Sequence, residues 1–174
     1  MTPRDLDART LNRAEGYLEL GLFAHAFNLL CENGSAVLNR VRWHSLTGRT
    51  LLGLGRTQEA LPHLELVYSL RPQEVDVAVS LGCCYQQSHR LAQAIGVLER
   101  VSKIAPRAAQ VQFQLARYWC LAGNVDFAIE RLRFALWLDP VLRWQIKEGN
   151  DFDRLKADPR YDRYFLGEEL AGQL

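Results

Sequence analysis

Cys83 and Cys84 stand side by side and His89 follows five residues later. Thiols and an imidazole so close in sequence raise two chemistries, a redox couple or a metal site. Neither is supported by the spacing. Adjacent residues on a helix project about 100° apart, so both thiols cannot reach one metal without distortion. The sequence has no CxxC or HxxxH pair to complete a ligand set. Cys84 reads instead as a small buried hydrophobe; Cys83 with Cys120 is the one pairing left open as a redox-sensitive couple. His25, His44, His63 and His89 are scattered, with no serine or acid placed to form a triad, and neither GxxxxGK[ST] nor GxGxxG occurs. A calcium loop beginning at Asp151 and Asp153 fails as well, because its sixth position is Lys156 and its twelfth is Asp162. No enzyme activity, metal or cofactor is expected.

The elements that carry these residues follow from bulk properties and then from a repeat. A chain of 174 residues is long enough to bury one ordinary core. Its 21 basic and 20 acidic residues leave no net field to concentrate nucleic acid or an anionic membrane. Only Lys103, Lys147 and Lys156 are lysines, so the cations are mostly arginines, suited to bidentate carboxylate contacts. The N-terminus lacks an apolar h-region and no run approaches the roughly eighteen apolar residues of a membrane span. Cys31, Cys83, Cys84 and Cys120 have no disulfide-framework spacing. The expectation is a soluble cytoplasmic protein with free thiols and no membrane insertion.

Self-similarity then organises the whole chain. Pro72, Pro106 and Pro140 are each 34 residues apart, as are Ala26, Ala60, Ala94 and Ala128. The same step relates Leu30, Leu64, Leu98 and Leu132, and also Tyr17, Leu51, Tyr85 and Trp119. Small residues recur at Ala14, Gly48, Gly82 and Ala116, and a turn row runs Gly21, Gly55, His89 and Gly123. Apolar spacing within each unit gives two helices separated by that turn, with His89 serving as a turn residue where its row otherwise has glycine. Thr2 with Asp5, Ser35, Thr57 and Asn124 fall where N-caps belong. The second helix of the first unit ends early, at Glu32-Asn33-Gly34, and Leu38 takes the place of the closing proline.

These rows resemble the tetratricopeptide repeat family, over roughly Leu6 to Pro140. The resemblance implies an all-α fold, an α-α superhelix of about four helix-turn-helix units (about 6–38, 39–72, 73–106 and 107–140). The family's first-helix tryptophan position holds Thr10, His44, Ala78 and Gln112, with Trp43 one place out. Residues 141–166 leave the repeat and are expected to form capping helices, with Trp144, Phe152, Leu155, Tyr161, Tyr164 and Phe165 covering the last repeat. This segment resembles the end of many bacterial repeat proteins through Asp151-Phe152-Asp153 and Asp158-Pro159-Arg160-Tyr161, with Asp158-Pro159 opening a last helix. Residues 167–174 are expected to be a tail.

What the resemblance implies for function is a concave face, lined by the first helices, that binds a peptide or protein segment. Carried position by position, that face is Leu11, Glu15 and Leu18, then Arg42, Ser45, Arg49 and Leu52. The third unit adds Asp76, Val79, Cys83 and Gln86; the fourth adds Gln110, Phe113, Gln114, Arg117 and Leu121. Arg49 and Arg117 are the posts expected to take a ligand's acids. The family's chaperone-carboxylate clamp is absent, because Leu11 and Glu15 stand at its positions. The expected function is a non-enzymatic adaptor or scaffold with a protein partner. A self-assembling homo-oligomer that docks through its first unit and a holder of exported or unfolded partners are the alternatives.

Overall fold

The computed structural model describes residues 3–34, 38–148 and 150–166. Among the described residues every regular element is helical. Eight helices alternate with short turns: α1 (Pro3–Glu19), α2 (Phe23–Asn33), α3 (Arg40–Gly53), α4 (Thr57–Leu70), α5 (Val75–Gln87), α6 (Leu91–Ile104), α7 (Ala109–Leu121) and α8 (Val125–Leu138). A 3-10 turn (Pro140–Leu142), α9 (Arg143–Glu148), a second 3-10 turn (Asp153–Leu155), α10 (Pro159–Tyr161) and a closing π turn (Asp162–Leu166) follow. The chain divides into two compact units, Met1–Arg90 and Leu91–Leu174.

The turn that ends each first helix has one chemistry in all four repeats. After α3, the Gly55 amide donates to the Leu52 carbonyl and the Arg56 amide to that of Leu51, both at 2.9 Å. This pair of hydrogen bonds closes the helix only if the residue at Gly55 is left-handed. Gly21, Gly55 and Gly123 have φ of 71°, 74° and 82°, and His89 adopts the same conformation at 59°. His89 is therefore the turn residue that its row requires, at the steric cost of a Cβ in left-handed backbone.

In the first unit, Leu11, Ala14, Leu30 and Leu46 bury together, with Trp43 against them. The short α2 leaves carbonyls open at its end, and α3 meets them: Trp43 Nε1 donates to Leu30 O (3.1 Å) and Arg40 Nη1 to Gly34 O (3.0 Å). A Cβ on Gly48 would lie 2.7 Å from Leu64 Cγ, so a hydrogen at this position is what lets α3 approach α4. Tyr85 ties α5 to α4 by donating to Glu65 (2.8 Å). Asn39 caps α3 by accepting from the Arg42 amide. Thr57 differs from its expected role: Arg56 precedes the helix, Thr57 is its first residue, and the threonine hydroxyl bonds Gln87 instead. The expected caps Thr2 and Ser35 lie outside the described residues, as does the tail 167–174.

In the second unit, Phe113, Ala116, Cys120, Leu132 and Ala135 join Leu142, Ile146, Phe152, Leu155, Tyr161 and Phe165 in one core. Asn124 caps α8 as its spacing predicts, accepting from the Phe127 amide, and Asp158 caps α10 by accepting from that of Arg160. The lid expected over the last repeat is present for Phe152, Leu155, Tyr161 and Phe165, with Tyr164 at its edge. Trp144 is corrected: it is 66% exposed. Leu142 and Ile146, four residues apart, turn inward, and a residue midway between them faces the opposite side of the helix.

Candidate peptide-binding face

Five of the expected face residues converge in the first unit. A cavity of about 410 Å³ is lined by Arg42, Ser45, Leu46 and Arg49 of α3, with Glu15 and Asn39, and by Arg71, Glu74, Val75 and Asp76 on the far wall. Leu18, Leu52, Val79, Cys83 and Gln86 do not line it. Leu11, also expected on this face, is instead part of the core.

The arginines are not open posts. Arg42 Nη2 donates to Glu15 Oε2 at 2.5 Å and to Asn12 Oδ1 at 2.8 Å. Arg71 pairs with Glu74 at 3.0 Å. Arg49 stands differently. Its side chain is 19% exposed, and its one ion pair among the described residues reaches Asp76 at 3.6 Å, beyond hydrogen-bonding distance. The Asp76 side chain is 72% exposed, so water can replace that contact readily. Glu15–Arg42 and Arg49–Asp76 each join residues 27 apart, one acid-first and the other arginine-first. In the sequence Glu15 stands at a position of the absent carboxylate clamp; the fold uses it to neutralise Arg42.

On α7 the expected face is covered by the chain itself. Phe113 and Gln114 are only 3% and 6% exposed. The Phe152 ring meets that of Phe113 edge-on, with centroids 5.4 Å apart. Asp151 lies 3.5 Å from Arg117 Nε, and Arg154 Nη1 donates to the Leu121 carbonyl at 2.9 Å. Gln110 remains exposed. The expectation of an open groove along Phe113, Gln114, Arg117 and Leu121 is thus corrected, because segment 151–155 folds back onto that stripe. Its sequence shows that it must cover something apolar but, lying outside the repeat, carries no register to say where.

Cys84 and Cys120 are buried and behave as packing groups. Burial pushes the Cys84 thiol up to about 12 and raises that of Cys120, which lies sealed in the second core. A thiolate switch through Cys120 therefore has neither access nor charge. Among the described residues no group of three His, Cys, Asp or Glu is arranged to hold a metal.

One pair escapes sequence reading. His44 and His63 place their Nδ1 atoms 2.8 Å apart, beside the Trp43 ring. Burial lowers both pKa values, with Arg40 adding to the effect at His44 and His44 itself at His63. The signal is present in the row Thr10, His44, Ala78, Gln112. Nineteen residues further on stand Leu29, His63, Val97 and Arg131. His63 answers His44, and Arg131 Nη1 donates to Gln112 Oε1 at 3.1 Å.

Tandem helix pairs closed by caps of one geometry, with a charged cavity against the first helices, define a helical-repeat protein. Residues 51–118 match the tetratricopeptide repeat (TPR) family, and the same 34-residue spacing runs on either side of that stretch. The solved structure of TTC0263, a thermophilic TPR protein in Thermus thermophilus, is similar at TM-score 0.70 and 19% identity, covering 93% of each chain. YrrB, a TPR protein with an unusual peptide-binding site, gives 0.65 at 19% identity over 78% of this chain and 71% of its own. A structure of MamA gives 0.66 at 22% identity over 89% of this chain and 95% of its own. The all-α solenoid class expected from the sequence is the fold these structures share with it. No curated protein sequence matches the chain. Among the described residues no helix is long and apolar enough to cross a membrane.

Proposed function

We propose that the protein is a non-enzymatic adaptor that binds an extended segment of a partner protein in the cavity beside α3, with Arg49 taking a carboxylate of that segment. The observation that carries this reading is Arg49 itself: a half-buried arginine side chain on a cavity wall whose one ion pair among the described residues is too long to hydrogen-bond. A ligand carboxylate reaching it forms charge-assisted bonds that the Asp76 contact does not supply. The likeness to YrrB, which has a peptide-binding site, supports the class of ligand. Four free cysteines suit a reducing compartment, so we assign the protein to a bacterial cytoplasm. Self-assembly through the first repeat has less support, because Trp43 and Arg40 close the end of α2 where such docking was expected.

Selection from a random phage-displayed peptide library tests the reading. The wild-type protein should enrich acidic peptides, and Arg49→Glu, with unchanged helical circular dichroism, should not. Equal enrichment on both proteins removes Arg49 from the account, and no enrichment on either removes the cavity.

A further inference from the structure

The chain carries its own example of what a first helix of this kind accepts. Arg49 and Arg117 hold the same place in their repeats, two periods of 34 apart, and each is preceded by four residues by a partner on the same helical face, Ser45 and Phe113. On α7 both places are filled by two consecutive residues of the chain, with Asp151 facing Arg117 and Phe152 packed edge-on to Phe113. On α3 the cavity of about 410 Å³ opens at Ser45, between Ser45, Leu46 and Arg49, and among the described residues no aromatic side chain lines it. That volume falls in the range of roughly 300–1,000 Å³ that holds a small ligand or a side chain with its backbone. Asp76 occupies Arg49 loosely, at 3.6 Å, much as Asp151 occupies Arg117 at 3.5 Å, but no ring accompanies it.

We infer that the α3 cavity takes from its partner an acidic residue followed directly by an aromatic one, the acid displacing Asp76 from Arg49 and the ring filling the space beside Ser45. This rests on the adaptor reading and narrows it to a two-residue motif. Chemically the site asks for one carboxylate and one flat apolar group on adjacent residues, which excludes peptides that are acidic alone.

Fluorescence anisotropy with a labelled, end-capped hexapeptide of the protein's own residues 150–155, Asn-Asp-Phe-Asp-Arg-Leu, tests it on the full-length chain. Saturable binding is expected, weakened at least about tenfold by Phe152→Ala or Asp151→Asn in the peptide and by Arg49→Ala in the protein. Asp76→Asn in the protein should tighten it, since the internal rival is gone. Equal affinity for the Phe152→Ala peptide, binding indifferent to Arg49→Ala, or no binding at all overturns the motif. If library selection still returns acidic peptides that depend on Arg49, the motif alone falls; if it returns none, the adaptor reading falls with it.

Discussion

His89 is where the repeat chemistry and the residue type disagree. Its φ of 59° is the left-handed value its glycine counterparts adopt freely, and for a residue with a Cβ that conformation costs about 1–2 kcal/mol. The amides around it still make the two cap bonds, His89 to Gln86 (3.0 Å) and Arg90 to Tyr85 (2.8 Å), so the backbone holds the turn without help from the imidazole. Restoring glycine removes the strain but returns about 0.5–1 kcal/mol of unfolded-chain entropy. His89→Gly should therefore raise stability by about 0.5–1 kcal/mol, a Tm increase of about 2 °C in a chain of this size. Thermal melts followed by circular dichroism read this directly, and a lower Tm would show that the histidine side chain stabilises the turn. The same scale marks how far single positions are legible. Gly55 and Asn124 announce their roles by residue type alone, whereas Thr57 has the chemistry of a cap yet lies one residue inside its helix.

At the scale of elements, the fold is held by side chains that meet at fixed offsets between helices. In the row Thr10, His44, Ala78, Gln112, which departs from the family's tryptophan, His44 and Gln112 each find a polar answer nineteen residues on. Gln112 also donates to the Pro106 carbonyl at 2.9 Å, tying α7 to the turn before it. The His44–His63 pair makes α3–α4 packing sensitive to protons. Burial is the larger cause at both sites and favours neutral rings, so the folded pKa values lie below the ordinary histidine value of about 6.5. Above that value neither folded nor unfolded chain is protonated there and the pair is fully stabilising. As pH falls below it, the unfolded chain binds protons first and stability drops until the folded pKa values are passed. The wild-type Tm should thus fall more steeply from pH 7 to pH 5 than that of the double variant His44→Gln, His63→Gln. Parallel slopes would mean that the two rings protonate in the folded protein as easily as in water. The period of 34 makes the helices and turns legible, but which residues at offsets of 19 and 27 touch is fixed only once the helices are side by side. That is why Arg49 reads as an open post in the sequence and Arg42 as an unpaired face residue, and their acids, Asp76 and Glu15, do not read as partners.

At the scale of the molecule, a helical repeat has no closed core, and its last unit must be finished by something that is not a repeat. Here the finish is segment 151–165, which buries Phe152, Leu155, Tyr161 and Phe165 against α7 and α8. Covering the apolar face also shuts the inner stripe of α7, and it does so incompletely, since Gln114 Oε1 and Arg117 Nε have no hydrogen-bond partner among the described residues. Apolar burial therefore outweighs polar satisfaction in holding the segment down, because a buried donor or acceptor left unpaired costs about 1–3 kcal/mol each. The weight rests chiefly on Phe152, fully buried against the Phe113 ring. Truncating such a side chain costs about 3–5 kcal/mol. Phe152→Ala should accordingly lower the stability of the second unit by that amount, and native-state hydrogen exchange can localise the loss. Protection of α7 and α8 amides should fall well before that of α3 and α4, because in a stack of repeats each element is stabilised mainly by its neighbours. Uniform loss across all four helices would mean that the chain unfolds as one block and that the segment supports the whole protein. Unchanged protection would mean that the α7 stripe does not need its cover.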